Sequence, residues 1–261
     1  MEKNHNSGNI LGERGVITIE GEQAKEFLQG LITNNISKLP IYSLMLTPHG
    51  KFLYDFFISE QSNILYVDCY YTSIEQIIKT LNIYKLRSKI EIIDKTLEFN
   101  VVSSKEAING AIISYQDPRL EKLGYRSIVP KSLVIDESNF SYESLRIQCG
   151  VPEGHKDMLQ NKSFPLEFSM DKLNAIDFDK GCYLGQEVTS RTKYLGTIRK
   201  KPYIIKGKDL PQIGHDILAG DQKIGLMCSS NSSTGIALIR QDDYEKLAQK
   251  NLPFDLTETN F

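Results

Sequence analysis

Tryptophan is absent from this sequence, and cysteine and histidine are sparse at four each. A flat ligand would therefore stack on one of the tyrosines or phenylalanines. Cys69, Cys149, Cys182 and Cys228 lie far apart and form no C-x-x-C pair, which argues against a zinc site or a thioredoxin-like motif. No metal site is expected. A disulfide framework is not expected in a chain of this size, so the compartment reads as reducing and cytoplasmic. No apolar run approaches the length of a membrane helix. Met1–Asn9 is polar, without the apolar core of a secretory signal or the arginine-rich look of a transit peptide. Charge of one sign is also missing: 31 basic against 33 acidic residues exclude wholesale nucleic-acid binding.

What is present is concentrated between Phe164 and Lys201. At its centre stands Lys180-Gly181-Cys182-Tyr183-Leu184-Gly185-Gln186-Glu187. Two glycines bracketing one thiol predict a tight turn that presents Cys182. A lysine two residues earlier gives that thiol a reason to lose its proton. The competing reading is a small buried apolar cysteine, the usual state of a free thiol.

The eight residues resemble the signature of the YgfZ family of folate-binding proteins, relatives of the glycine-cleavage T-protein that act in iron–sulfur cluster assembly. Pro165-Leu166-Glu167 before it, and Thr189-x-Arg191 and Gly196-x-x-Arg199-Lys200 after it, resemble the same family. So do Phe27-Leu28-Gln29-Gly30, Asp117-Pro118-Arg119 and the helix around Arg146.

Along the chain, Val16–Glu20 alternates as a strand, and Ala24, Phe27, Leu28 and Leu31 recur at helical spacing. Segments 44–46 and 52–59 flank a turn at Thr47-Pro48-His49-Gly50, as in a hairpin. Residues 63–69 read as a strand. Thr72 to Glu75 has capping-box spacing ahead of a helix facing inward through Ile74, Ile77, Ile78 and Leu81. Strands follow at 89–93, 97–102 and 111–115. After Lys201 the pattern changes to short strands, at 202–206, 216–218, 222–228 and 235–240, with a helical piece and a frayed tail beyond. The fold class is α+β: mainly antiparallel sheets with helices, and a small C-terminal β-barrel. A T-protein-like body over 1–195 and a β module over 196–261 are expected.

The resemblance implies tetrahydrofolate as cofactor, iron–sulfur assembly proteins and client enzymes as partners, and tRNA modification among the dependent processes. It implies Cys182, Lys180, Gln186 and Glu187 as the reactive set, with Tyr54, Asp55, Arg126, Tyr142, Arg146 and Arg191 toward folate. Two departures count against aminomethyl transfer, the alternative function. Tyr54-Asp55 stands where the T-protein has paired aspartates, and Arg126 stands where it has a glutamate toward the pterin. Tyr142 falls where bacterial relatives carry a tryptophan. Arg191, Lys193, Arg199, Lys200 and Lys201 offer a basic rim. A cysteine hydrolase would need His155 or His215 as base, and neither sits in a motif. The chain is expected to be a monomer with no membrane or nucleic-acid partner, cytoplasmic in a bacterium and in the mitochondrial matrix in a eukaryote.

Overall fold

The protein is described by a computed structural model covering residues 6–247 and 252–261. It divides into two compact units. The first takes in the chain up to Leu46, then Leu53–Tyr142 and Asn174–Leu184. Its elements are β1 (Ser7–Ile10), β2 (Arg14–Glu20), α1 (Ala24–Gln29), β3 (Ile41–Leu46), β4 (Phe52–Gln61), β5 (Ile64–Tyr70) and α2 (Ile74–Lys85). They continue through β6 (Glu91–Asp94), β7 (Phe99–Ser104), β8 (Ile113–Gln116), β9 (Tyr125–Pro130) and β10 (Asp136–Glu137).

These strands form two five-stranded sheets, ordered β3-β4-β5-β2-β6 and β10-β1-β7-β9-β8. The ladders of β5 with β4 and β2, and of β7 with β1 and β9, are antiparallel, whereas β1 and β10 run parallel. Strand alternation sends successive side chains to opposite faces. Ile17, Ile19, Phe56, Ile58, Leu65 and Val67 therefore pack with Leu28 of α1 and with Ile77 and Leu81 of α2. Val16 and Tyr66 turn the other way, onto Val101 and Ile128 of the second sheet.

Three local expectations change. The capping box does not form: a 3-10 turn over Tyr71–Ser73 precedes α2, so Ser73 takes the cap position in a helical conformation and makes no side-chain cap bond. β9, the strand that carries Arg126, was hidden by its polar start. The tail contains a strand, β15, described below.

The second unit holds Thr47–Phe52, Glu143–Leu173 and the chain from Gly185 onward. It contains most of α3 (Tyr142–Gln148), then α4 (Gly154–Asp157), α5 (Gln186–Leu195), β11 (Lys200–Gly207), β12 (Asp216–Ala219), β13 (Gln222–Asn231), β14 (Thr234–Arg240), α6 (Gln241–Leu247) and β15 (Phe254–Glu258). Its five-stranded sheet, β12-β13-β14-β11-β15, closes over Tyr203, Ile205, Ile217, Ile224, Met227 and Ile239. Register shifts at Ile217/Leu218 and Met227/Ser230 add local twist. The sheet starts close to the expected boundary at 196. The compact unit around it, however, also draws in 143–173 and the turn 47–52.

Candidate functional site

Residues 174–184 run along residues 29–38 of the first unit, joined by a series of hydrogen bonds. The Asn34 amide donates to the Asn174 carbonyl at 2.6 Å, the Thr33 hydroxyl to Ala175 at 2.6 Å, and the Asp177 N–H to Thr33 at 3.0 Å. Lys38 pairs with Asp177 at 2.8 Å. A helix leaves its last carbonyls without intrahelical donors, and Lys180 reaches the last of α1 together with two in the loop that follows it. Its ammonium donates to the carbonyls of Gln29 at 2.7 Å, Ile32 at 2.6 Å and Asn34 at 2.8 Å. Four residues on, the Leu184 N–H donates to Gly30 at 3.2 Å. Residues 180–184 thus form an arch with both ends tied down. Tyr183 is buried within it, 5.1 Å from the Lys180 nitrogen at its ring centre, while Gly181 and Cys182 face solvent.

Cys182 is exposed, whereas burial pushes the Cys69 and Cys228 thiols well above their ordinary range. Lys180 differs from the sequence reading. A lysine ammonium has three N–H donors, and all three end on carbonyls rather than on the thiol. Burial pushes its pKa down to about 8, so it remains protonated at neutral pH, as three donated bonds require. Of the two bracketing glycines only Gly185 needs a left-handed backbone, with φ +83°. A side chain at Gly181 would meet no atom within 4 Å. Among the described residues of this unit no histidine accompanies the thiol, so a hydrolase base is missing there.

Asp177 gives the arch a pH dependence. Burial raises its carboxyl pKa, but the bonds from Lys38 and the Asp179 N–H, with the Lys38 charge, outweigh this and hold it below the ordinary value. A depressed carboxylate stabilises the fold above its unfolded pKa and loses that contribution as pH falls through the folded one. Amide protection of residues 177–184 is therefore expected to fall below about pH 4, before the core strands open. Hydrogen exchange with unchanged relative protection between pH 6 and pH 3 would contradict this.

The residues offered to folate fall into separate places. Tyr54 and Asp55 point to opposite faces of β4. Tyr54 packs on the helix-side core, and Asp55 enters a buried polar cluster between the two sheets. There the Asp68 carboxylate accepts from Arg14 Nε and from Arg126 Nη1, both at 2.6 Å. Asp55 accepts from Arg14 at 3.3 Å and from the Tyr42 hydroxyl at 3.4 Å. Asp117 takes two bonds from the Arg119 guanidinium, at 3.0 and 2.7 Å, and one from its backbone N–H at 3.0 Å, and the Tyr142 hydroxyl accepts from Arg119 at 2.7 Å and Arg126 at 3.2 Å. Three guanidiniums converge on the Phe57 ring, with Arg126 at 3.6 Å, Arg119 at 4.6 Å and Arg14 at 5.3 Å from its centre. Arg14, Asp68 and Phe57 were missed by sequence reasoning. The Tyr142 ring is only 4% exposed and, with Arg126 and Asp55, is engaged inside this cluster. Arg126 Nε makes no hydrogen bond and stands 4.0 Å from Asp117 Oδ2, while the Tyr115 and Ser59 hydroxyls interact with each other.

In the second unit Arg146 is fully buried. Its guanidinium donates to the Val151 carbonyl at 2.7 Å, Asp157 at 2.9 Å, Glu143 at 2.6 Å and the Ser229 hydroxyl at 2.6 Å, with Glu153 at 3.3 Å. Every face of it is used, so it is an internal tie with no donor left for a ligand. Gln186 and Glu187 open α5, and Arg191 is exposed on it. Of the basic rim, Lys193 is paired with Asp171 at 2.5 Å and Lys200 with Glu167 at 3.5 Å.

No family model matches the chain. Among curated proteins it is similar to the mitochondrial iron–sulfur cluster assembly factor IBA57 homolog of Dictyostelium discoideum, 34% identical over 77% of this chain and 63% of that protein. The Mycosarcoma maydis homolog is 29% identical over 78% of this chain and 59% of its own length. The human factor is 29% identical over 88% and 76%. The chain thus spans about three fifths of the length of the first two relatives. Among solved structures, the glycine cleavage system aminomethyltransferase T from Bartonella henselae superposes with a TM-score of 0.68 over 90% of this chain and 79% of that one, at 13% identity. The α+β fold is that of the T-protein.

Proposed function

We propose that this protein is an accessory factor in iron–sulfur cluster assembly that works through Cys182. The homologues are named as such factors, and the single observation that carries the reading is the exposed thiol on a pinned arch. A solvent-facing cysteine sulfur is open to attack an electrophile or to ligate iron, and an apolar core position would allow neither. The partners are then cluster-carrying proteins of the assembly machinery. In a eukaryotic cell the place of action is the mitochondrion, as in the relatives' names.

Cys182→Ser is expected to fold with an unfolding free energy within about 0.5 kcal/mol of the parent, because an exposed side chain packs little. It should nevertheless fail to restore iron–sulfur enzyme activity in cells lacking the endogenous factor. Full restoration by the serine variant would remove Cys182 from the mechanism.

Tetrahydrofolate binding is the second part of the reading. The T-protein-like fold supports it, as does the Arg126 Nε donor, which makes no hydrogen bond within the buried cluster. Tyr54 in the apolar core and Arg146 in its ion cage do not fit as contacts. Calorimetric titration of the purified chain with tetrahydrofolate tests it, and a featureless titration would remove folate. Aminomethyl transfer gains nothing from Asp55, whose carboxylate is already held by Arg14 and Tyr42.

A further inference from the structure

We infer that Lys180 is a positioning residue for Cys182, fixing where the thiol stands by tying the arch to the end of α1 rather than acting on the thiol's charge. The geometry itself is independent of the function proposed above, and only the cellular readout rests on that reading.

The ammonium reaches carbonyls 146, 148 and 151 positions earlier in the chain and spends one proton on each. Among the described residues it forms no ion pair within 4 Å; the Tyr183 ring lies beside it, and the Asp177 carboxylate acts on it from further away. The second tie, Leu184 N–H to Gly30, lies on the other side of Cys182. The thiol therefore sits midway between two fixed points, two residues from each. Holding a free loop still costs about 1–2 kcal/mol of backbone entropy per residue, and the buried ammonium, the carbonyls and the buried Tyr183 ring oppose that cost. Reaction between a thiol and a group held by another protein depends on placement, and an error of about 1 Å can cost roughly a hundredfold in rate. A glycine at 181 with open space around it would otherwise let the thiol wander.

Arginine and methionine separate positioning from electrostatics. Lys180→Arg keeps the positive charge, but a planar guanidinium does not converge three donors on one point as an ammonium does. Lys180→Met keeps the length and loses every donor. Three measurements on the full chain apply: amide hydrogen exchange at Leu184, alkylation of Cys182 by iodoacetamide across pH read on the Cys182 peptide, and rescue of iron–sulfur enzyme activity, with thermal melts confirming folding. Positioning predicts at least about tenfold faster Leu184 exchange in both variants, equal to about 1.4 kcal/mol of lost closure. It also predicts an alkylation midpoint that stays at the parent's pH, and loss of rescue with Cys182 intact. Electrostatic activation predicts instead that Lys180→Arg retains rescue and that Lys180→Met moves the midpoint upward, and either result overturns the inference. Should both variants unfold, the parent decides: a Leu184 amide exchanging at the rate of an unstructured peptide would show that no closed arch exists. If Cys182→Ser rescues while Leu184 and the midpoint behave as stated, the functional reading falls and the positioning stands.

Discussion

Asp68→Ala is expected to lower the unfolding free energy by about 3–5 kcal/mol, the range for removing one member of a buried ion network. Asp68 has no exposed surface, and its two carboxylate oxygens each accept a guanidinium bond of 2.6 Å, one from Arg14 and one from Arg126. Its backbone carbonyl takes a third bond from Arg14 at 3.0 Å. Removing the carboxylate leaves two guanidiniums, 3% and 1% exposed, sharing what remains of Asp55 and Asp117. A buried cation without its counter-ion is far costlier than the pair is favourable. Urea unfolding followed by circular dichroism reads the loss. The exposed Lys95–Glu98 pair serves as the control, where Lys95→Met should leave the unfolding midpoint essentially where it is. An Asp68→Ala penalty as small as the control's would mean that the cluster is solvated or differently paired.

Arg146→Met should cost a similar amount, about 3–5 kcal/mol, this time in the second unit. Glu143, Glu153 and Asp157 all face this one cation, and Asp157 also accepts from the Ser229 N–H and hydroxyl at 2.6 Å and the Glu153 N–H at 2.7 Å. Without the guanidinium, the buried Glu153 and Asp157 carboxylates lose the cation they share. Arg146→Lys should recover only part of the loss, since three donors on one nitrogen replace five on a fork. Hydrogen exchange localises the effect, and faster exchange in α3 and β13 than in β2 or β5 is the expected pattern. A ligand-binding role makes the opposite forecast, an unchanged stability with weaker folate binding, so the pair of measurements separates the two.

Much of the fold was readable because it depends on local period. The alternation of β2 and the three- and four-residue spacing of α2 give both element type and buried face. The exposure of Cys182 was readable from its glycine neighbours. The role of Lys180 was not, because its acceptors are backbone carbonyls, which any sequence possesses, and they lie about 150 positions away. The arginine cluster was hidden for two reasons. Arginine is rarely buried, so nothing in the sequence marked Arg14 as a core residue. The meeting of Phe57 with Asp68 depends on the β4–β5 register, where those two residues are directly paired. One signal was available and unused: the two-residue period of β4 means that Tyr54 and Asp55 cannot face the same site. In the tail, Phe254-Asp255-Leu256-Thr257-Glu258 alternates as an edge strand should, and it pairs with β11.

The ties of the arch have a consequence for synthesis on the ribosome. Between emergence of Asn34, the last of the three acceptor residues, and of Lys180 lie 146 residues. At about 5–20 residues per second that is a delay of roughly 7–30 s. Helix α1 and the sheets of the first unit can assemble within that interval, but the carbonyls of Gln29, Ile32 and Asn34 must wait on water until the ammonium arrives. The Cys182 thiol is therefore set in place last in its unit, after the body that supports it has been made.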